Sequence, residues 1–278
     1  MAITTLDQYI AAVKQRIRII KTAARVTVAT IPFSLFGLAG SPSGGVLAGT
    51  STTVGVVPTD ATAGCPPILF STGVGYLSKV EYGASVAQRL SIFDMLFKAG
   101  AYTYAAATVT LSTQPAISQR CPDYPGSGTV FGSQMEIWIE VVTAFVTGTA
   151  WQVQVTYTDS NGTAGRTSVI SVAQAAAALT LGKMFMLTLQ ADDTGVQKIE
   201  SVIITNGGTA MTAGTFNVLI LRPMWTSGRV RVANDSNVHD LLGTGMPIVY
   251  TDSALVLVSA ADSTSSGIPE VVFEIASA

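Results

Sequence analysis

Three runs between Gln134 and Val172 alternate apolar and polar residues: Gln134–Val142, Trp151–Thr158 and Ser168–Val172. In the middle run Trp151, Val153, Val155 and Tyr157 fall on one face and Gln152, Gln154, Thr156 and Thr158 on the other. A period of two is the mark of a half-buried antiparallel strand, and Asp159-Ser-Asn-Gly162 between the second and third runs predicts a hairpin turn. Similar signals fill the rest of the C-terminal three-quarters. Strands are expected at Tyr76–Tyr82, Val86–Phe93, Ala105–Thr113, Met184–Leu189, Ile199–Thr205, Thr215–Leu221, Gly228–Val232, Ala254–Val258 and Val271–Ile275. Helical turns are expected at Asp94–Lys98 and Val238–Leu242, and a short helix at Ala173–Leu181. Turn residues recur at regular spacing without strand–helix alternation, which predicts an all-β protein, a β-sandwich or jelly roll. Trp138, Trp151 and Trp225 are expected in or at the edge of its core.

The N-terminus reads differently. Thr5-Leu-Asp-Gln8 has the form of a capping box. Leu6, Tyr9, Ile10, Val13, Ile17, Ile20 and Ala24 then recur at steps of three and four. This predicts an amphipathic helix over 5–25, with basic residues on much of the remaining cylinder. Such a stripe packs on its own body or docks into another subunit; a membrane-surface helix has the same pattern, but no other feature supports it. From Val26 to Ser78 the only charge is Asp60, and glycine and proline interrupt the chain throughout. The segment is too apolar for a solvated linker and too long for a plain loop. It predicts an extended arm lying along a surface, its own or a neighbour's. The expected organisation is a docking helix at 1–25, an arm at 26–75 and a sandwich body at 76–278.

Composition and charge sharpen this. Only 12% of residues are charged, about half the usual ~25%, which leaves little electrostatic protection against self-association and favours an oligomer. Residues 1–25 carry Lys14, Arg16, Arg18, Lys21 and Arg25 against Asp7, a net of +4, which leaves −6 on the rest of a chain whose total is −2. A basic head on an acidic body suggests docking onto something acidic. The candidate partner-binding residues are therefore Leu6, Tyr9, Ile10, Val13, Lys14, Arg16, Ile17, Arg18, Ile20, Lys21 and Arg25. The acidic body, without basic residues interleaved among its aromatics, argues against nucleic acid. No uncharged apolar run reaches the ~20 residues of a membrane helix. The run at 26–40 contains Pro32 and follows too long a basic region for a secretory signal.

Candidate chemistry is sparse. His239 is the only histidine, which excludes a histidine-based zinc site by number, and no Gly-x-Ser-x-Gly elbow appears. Cys65 and Cys121 lie far apart without metal-ligand spacing; two free thiols are expected, with one disulfide between them as the alternative. Glu136 and Glu140 flank Trp138 at a strand separation of ~13 Å, too far for a glycosidase pair, and are expected on a polar outer face. The loop at 159–163 lacks the glycine and glutamate positions of a calcium loop. Gly126-Ser-Gly128 precedes a strand, whereas a phosphate loop must open a helix. No catalytic residue, metal or cofactor is expected.

Several stretches resemble the virion structural proteins of tailed bacteriophages. They are Leu47-Ala-Gly-Thr-Ser51, Val57–Gly64, Ser91–Gly100, Glu136–Thr143 with Val155–Asp159 and Gly162–Thr167, and Tyr250–Ala254 with Ala260–Thr264. A basic N-terminal helix and arm on a β-sandwich is most similar to a capsid decoration, or cement, protein. The resemblance implies a non-enzymatic virion component, assembled in the host cytoplasm. It would be a homo-oligomer, typically a trimer, that clamps the major capsid protein or other virion subunits. It carries no functional residues across. Two alternatives keep the virion: a tail, collar or fibre component binding a receptor or glycan through the Pro115–Gly132 loop and Tyr124, and a jelly-roll shell protein.

Overall fold

The computed structural model describes residues 3–70, 73–230 and 232–277. The chain opens with α1 (Leu6–Ala11), β1 (Val13–Lys21), β2 (Phe33–Ser34), β3 (Gly40–Ser41), β4 (Val74–Ala84), β5 (Gln88–Thr103) and β6 (Ala107–Thr110). It continues with β7 (Glu136–Val146), β8 (Ala150–Asp159), β9 (Arg166–Thr167), β10 (Met184–Leu187), β11 (Val196–Gly207) and β12 (Ala213–Thr226). It closes with β13 (Ser236–His239), α2 (Leu241–Thr244), β14 (Ile248–Tyr250), β15 (Leu255–Ala261) and β16 (Pro269–Ser277). Every strand pairing whose register the described residues give is antiparallel, and the all-β class is as expected. The expected single body at 76–278 is corrected: the chain forms two compact units, each with its own core. Unit 1 is Met1–Val46, Thr59–Asp94 and Met224–Ala278; unit 2 is Leu47–Pro58 and Met95–Pro223.

In unit 1 the sheet β13-β4-β16-β1-β3, with β14 also on β4, faces the pairing of β5 (Gln88–Asp94) with β15 and β2. Ile17, Ile19, Leu77, Val80 and Phe273 from the first sheet meet Leu90, Ile92, Leu255 and Leu257 from the second. In unit 2 the sheet β6-β11-β8-β9 packs on β10-β7-β12 and the second half of β5. The alternation read in β8 is realised: Trp151, Val153, Val155 and Tyr157 are fully buried, with Ile137, Ile139, Val202 and Val218 in the same core. Trp151 lies edge-on to Phe145 and Phe216, both at 4.9 Å.

The helix expected over 5–25 is corrected. It ends at Ala11, and Val13–Lys21 is a strand registered along β16, with Ile17 opposite Phe273 and Ile19 opposite Val271. The segment Arg16-Ile-Arg-Ile19 satisfies both periods, since Ile17 has apolar partners at 13 and 20 for a helix and at 19 for a strand. Four β-branched residues (Val13, Ile17, Ile19 and Ile20) and the alternating Val271, Phe273 and Ile275 of β16 settle it for the strand.

The arm packs on its own chain. Phe33, Leu35, Phe36 and Leu38 are buried in unit 1. In unit 2, Val56 and Lys98 exchange backbone hydrogen bonds at 2.9 Å, Ser51 O accepts from Gly100 N, and Tyr102 Oη donates to Thr52 O at 2.8 Å. The turn expected at Asp94–Lys98 is the interior of β5, where burial on both faces hides the period. Asp94 is buried and accepts from Ser253 Oγ and Ala254 N, both at 2.9 Å. The helix expected at 173–181 is a single 3-10 turn, Ala176–Ala178. The turn expected at 238–242 divides between β13 and α2. No strand forms at 228–230, and Arg231 lies outside the described residues.

The third run of the meander is also corrected. None of it forms a strand, since β9 ends just before it at Thr167; residues 168–174 instead follow the edge of β8 through backbone and side chains together, with Ser168 N and Ser171 N donating to Val155 O and Val153 O at 2.9 Å and a single bridge between Trp151 and Gln174. Ser168 Oγ accepts from Val155 N at 3.1 Å and Ser171 Oγ from Val153 N at 3.0 Å, while Gln152 and Gln154 donate back to Ser171 O and Ser168 O. The serines thus face the protein and Val169, Ile170 and Val172 face solvent, the reverse of the polarity that alternation leads one to expect.

Candidate docking surface

The predicted docking residues divide three ways. Leu6, Ile10 and Val13 remain exposed, at 64%, 65% and 73%. The capping box at the start of α1 is made: Thr5 Oγ1 accepts from Gln8 N at 3.2 Å and Gln8 Oε1 accepts from Thr5 N at 3.1 Å. The helix stops after six residues because Ala12 turns extended, and none of its side chains is buried. Lys14 closes its C-terminal end, with Nζ donating to Tyr9 O at 2.9 Å and to Ile10 O and Ala12 O at 3.3 Å. There a cation offsets the helix dipole and satisfies terminal carbonyls. The same ammonium lies 4.6 Å over the Tyr9 ring. Tyr9 is half-buried and ties the helix to the sheet, with Oη donating to Glu274 Oε1 at 2.9 Å; burial first, and then this carboxylate, push its phenol up.

The second group is the outward face of β1. Lys14, Arg16, Arg18 and the half-buried Ile20 point away from the core. This face is a mixed lattice rather than a bare basic one. Arg18 reaches Glu270 at 2.6 Å, Arg16 reaches Glu81 at 3.9 Å, and Lys79 also reaches Glu81, at 3.8 Å. These pairs are exposed, and such pairs contribute little stability, about 0–1 kcal/mol each. Sequence reasoning missed Glu81, Glu270 and Glu274. Their alternation in β4 and β16 was visible, but not that these strands lie beside β1.

The third group is withdrawn from any docking role. Ile17 is core. Lys21 is buried, its Nζ donating to Leu38 O at 3.2 Å and Pro42 O at 3.4 Å, and burial lowers its pKa. Arg25 is buried, and its backbone pairs with Ser266 through Ser266 Oγ at 2.8 Å and Ser266 N at 2.9 Å.

Other singled-out residues have structural places. Glu140, expected on a polar outer face, is 3% exposed and accepts from Asn217. Glu136 accepts the Trp138 indole N–H at 2.7 Å; burial pushes its carboxyl up, and this hydrogen bond pulls against the shift. Asp159 Oδ1 accepts from Asn161 N at 2.9 Å and Thr163 N at 2.7 Å, which closes the hairpin turn. The His239 ring packs edge-on to Trp225 at 5.1 Å. Cys65 and Cys121 are buried and form no disulfide. Among the described residues no His, Cys, Asp and Glu cluster has metal-ligand geometry.

No family model matches the chain, and no curated protein matches it. Similar solved structures include the VP2 subviral particle of infectious bursal disease virus, with 9% identity, 95% of this chain and 80% of that chain covered, and a TM-score of 0.21. The Gx strain of the same virus aligns at 10% identity over 95% of this chain and 80% of that chain, with a TM-score of 0.22. Superpositions this weak define no shared fold.

Proposed function

We propose that this chain is a non-enzymatic virion structural protein of the decoration type, and that Ile3–Val13 with the outward face of β1 is its contact with neighbouring subunits of the particle. The observation that carries this is α1. Isolated helices shorter than ~12–15 residues are marginal in water, and helices in proteins gain stability by burying a face. This one has six residues, is capped at both ends, and buries none of its side chains. Leu6 and Ile10 lie one turn apart on it, and Val13 extends their exposed apolar surface onto β1. Covering these three would contribute roughly 5 kcal/mol before association costs. The stretches that resemble phage virion proteins supply the setting.

The test is co-sedimentation of the purified chain with particles from its source, beside a chain lacking residues 1–12. Full-length protein is expected in the pellet. The truncated protein is expected in the supernatant with an unchanged β-type circular dichroism spectrum. Equal sedimentation of both overturns the docking role of the segment. Assembly of the pure full-length chain into closed particles, seen by electron microscopy, overturns decoration in favour of a shell protein.

A further inference from the structure

Unit 2 carries a groove of 560 Å³ between the start of β7, β10 and the chain that follows it. Met135 and Leu187 are buried at its base, Leu189 and Pro223 line it, and Met186 stands half exposed at its mouth. Gln134, Thr188 and Gln190 supply neutral polar groups. The ionisable groups that line this groove, Glu136 and Asp193, are both carboxyls. Arg166 is spent on Asp193, which lines the groove, at 2.5 Å and lies 3.9 Å from Asp159. Glu136 lines the groove and Asp192 lies beside it, and neither makes an ion pair among the described residues.

The exposed N-terminal segment is the complement. Its apolar face, Leu6 and Ile10, is flanked by Lys14, Arg16 and Arg18. Of these, Lys14 has no carboxylate partner among the described residues and Arg16 has only a long one. Six helical residues span about 9 Å, so the two apolar side chains enter a groove of this size from one side of a single turn. Methionine at the mouth adapts to whatever shape enters. Both surfaces lie uncovered in this structure, and pairing with β16 from Val13 onward pins the segment to its own unit.

We propose that the occupant of this groove is the N-terminal segment of a second copy of the chain. Leu6 and Ile10 sit against Met186, Leu189 and Pro223, and the basic start of β1 lies along Glu136 and Asp192. This rests on the reading of the segment as a docking element and names its partner. The contact is heterologous: each copy offers a segment to one neighbour and a groove to another, so it generates a closed ring or an open chain rather than a two-fold dimer.

Two variants test it, Leu6→Glu/Ile10→Glu and Met186→Glu, all at exposed positions that the folded core tolerates. Sedimentation equilibrium is measured on the full-length chain, on each variant alone, and on their equimolar mixture. The unaltered chain is expected to associate, and each variant alone to associate roughly tenfold or more weakly. The mixture is expected to form a 1:1 dimer and nothing larger, because one intact segment and one intact groove remain. A monomeric full-length chain, association of either variant at full strength, or a mixture that stays monomeric overturns the proposal. A full-length chain that is monomeric yet sediments with particles overturns only the second-copy assignment and leaves the docking reading standing. Loss of both overturns both.

Discussion

Asn217 and Glu140 stand opposite each other on β12 and β7, both buried, with Asn217 Nδ2 donating to Glu140 Oε2 at 3.0 Å. The same amide clamps the strip 47–58: its Oδ1 accepts from Gly49 N at 2.9 Å and its Nδ2 also donates to Leu47 O. The strip crosses β5 glycine on glycine, since a Cβ on Gly49 would come within 2.6 Å of Gly100 N. Replacing Asn217 by leucine leaves a buried carboxylate and a backbone N–H without this partner. Leaving a buried hydrogen-bonding group without its partner costs about 1–3 kcal/mol. Asn217→Leu is therefore expected to lower urea stability by about that amount and to open residues 47–58 to limited proteolysis. A cleavage pattern identical to that of the unaltered chain would show that the clamp does not hold the strip.

Ile10 and Ile17 would share one face of a continuous N-terminal helix, and the structure separates them. Ile17 is 6% exposed in the core of unit 1, and Ile10 is 65% exposed on α1. Ile17→Ala is expected to cost about 2–4 kcal/mol in denaturant unfolding, and Ile10→Ala to stay within about 0.5 kcal/mol of the unaltered chain. Comparable losses at both positions would restore the helix and remove the strand.

Asp193 gives stability a defined acid limb. The Arg166 guanidinium bonded to it holds its carboxyl below the usual carboxylate range, burial opposes this, and the Tyr157 hydroxyl adds a second donor at 2.5 Å. A carboxyl whose folded pKa is depressed contributes stability that is complete above the unfolded value of about 3.9. That stability is lost as pH falls through the lower folded value. Arg166→Met should therefore lower Tm at neutral pH, and its difference from the unaltered chain should shrink progressively below about pH 4. A difference in Tm that stays constant from neutral pH to pH 3 would place the contribution of Arg166 outside this pair.

Sequence legibility followed the number of buried faces. β8 was read correctly because one of its faces is wet at Gln152 and Gln154, so the alternation survives in the residue types. The middle of β5 and the middle of β12, Phe216–Arg222, are buried on both faces, and Asp94-Met-Leu-Phe-Lys98 accordingly shows no period at all. The 168–172 run shows alternation but the wrong pairing, because its serine hydroxyls replace backbone carbonyls at the edge of β8, a substitution that no local pattern announces. At the N-terminus the spacing predicts Leu6, Ile10 and Val13 as contact residues, and the structure leaves all three exposed. Ile17, Lys21 and Arg25 were misplaced, because their burial depends on β16 and on residues near Leu38 and Ser266, far away in the sequence.

β5 and β12 each begin in one unit and end in the other, and inside unit 1 they lie side by side, with Ser91 Oγ 2.9 Å from Thr226 Oγ1 and Ser227 N donating to Leu90 O at 2.8 Å. The 129 residues from Met95 to Pro223 therefore leave and re-enter unit 1 through one adjacent strand pair, as a long excursion at the tip of a hairpin. A tight turn joining Asp94 to Met224 would close that hairpin without altering the register beneath it. Unit 2 is thus made of two insertions in the chain of unit 1, the strip 47–58 and the excursion 95–223. The chain path of unit 1, with its N-terminal segment, is therefore set by residues outside the excursion, and the length of the excursion does not enter it.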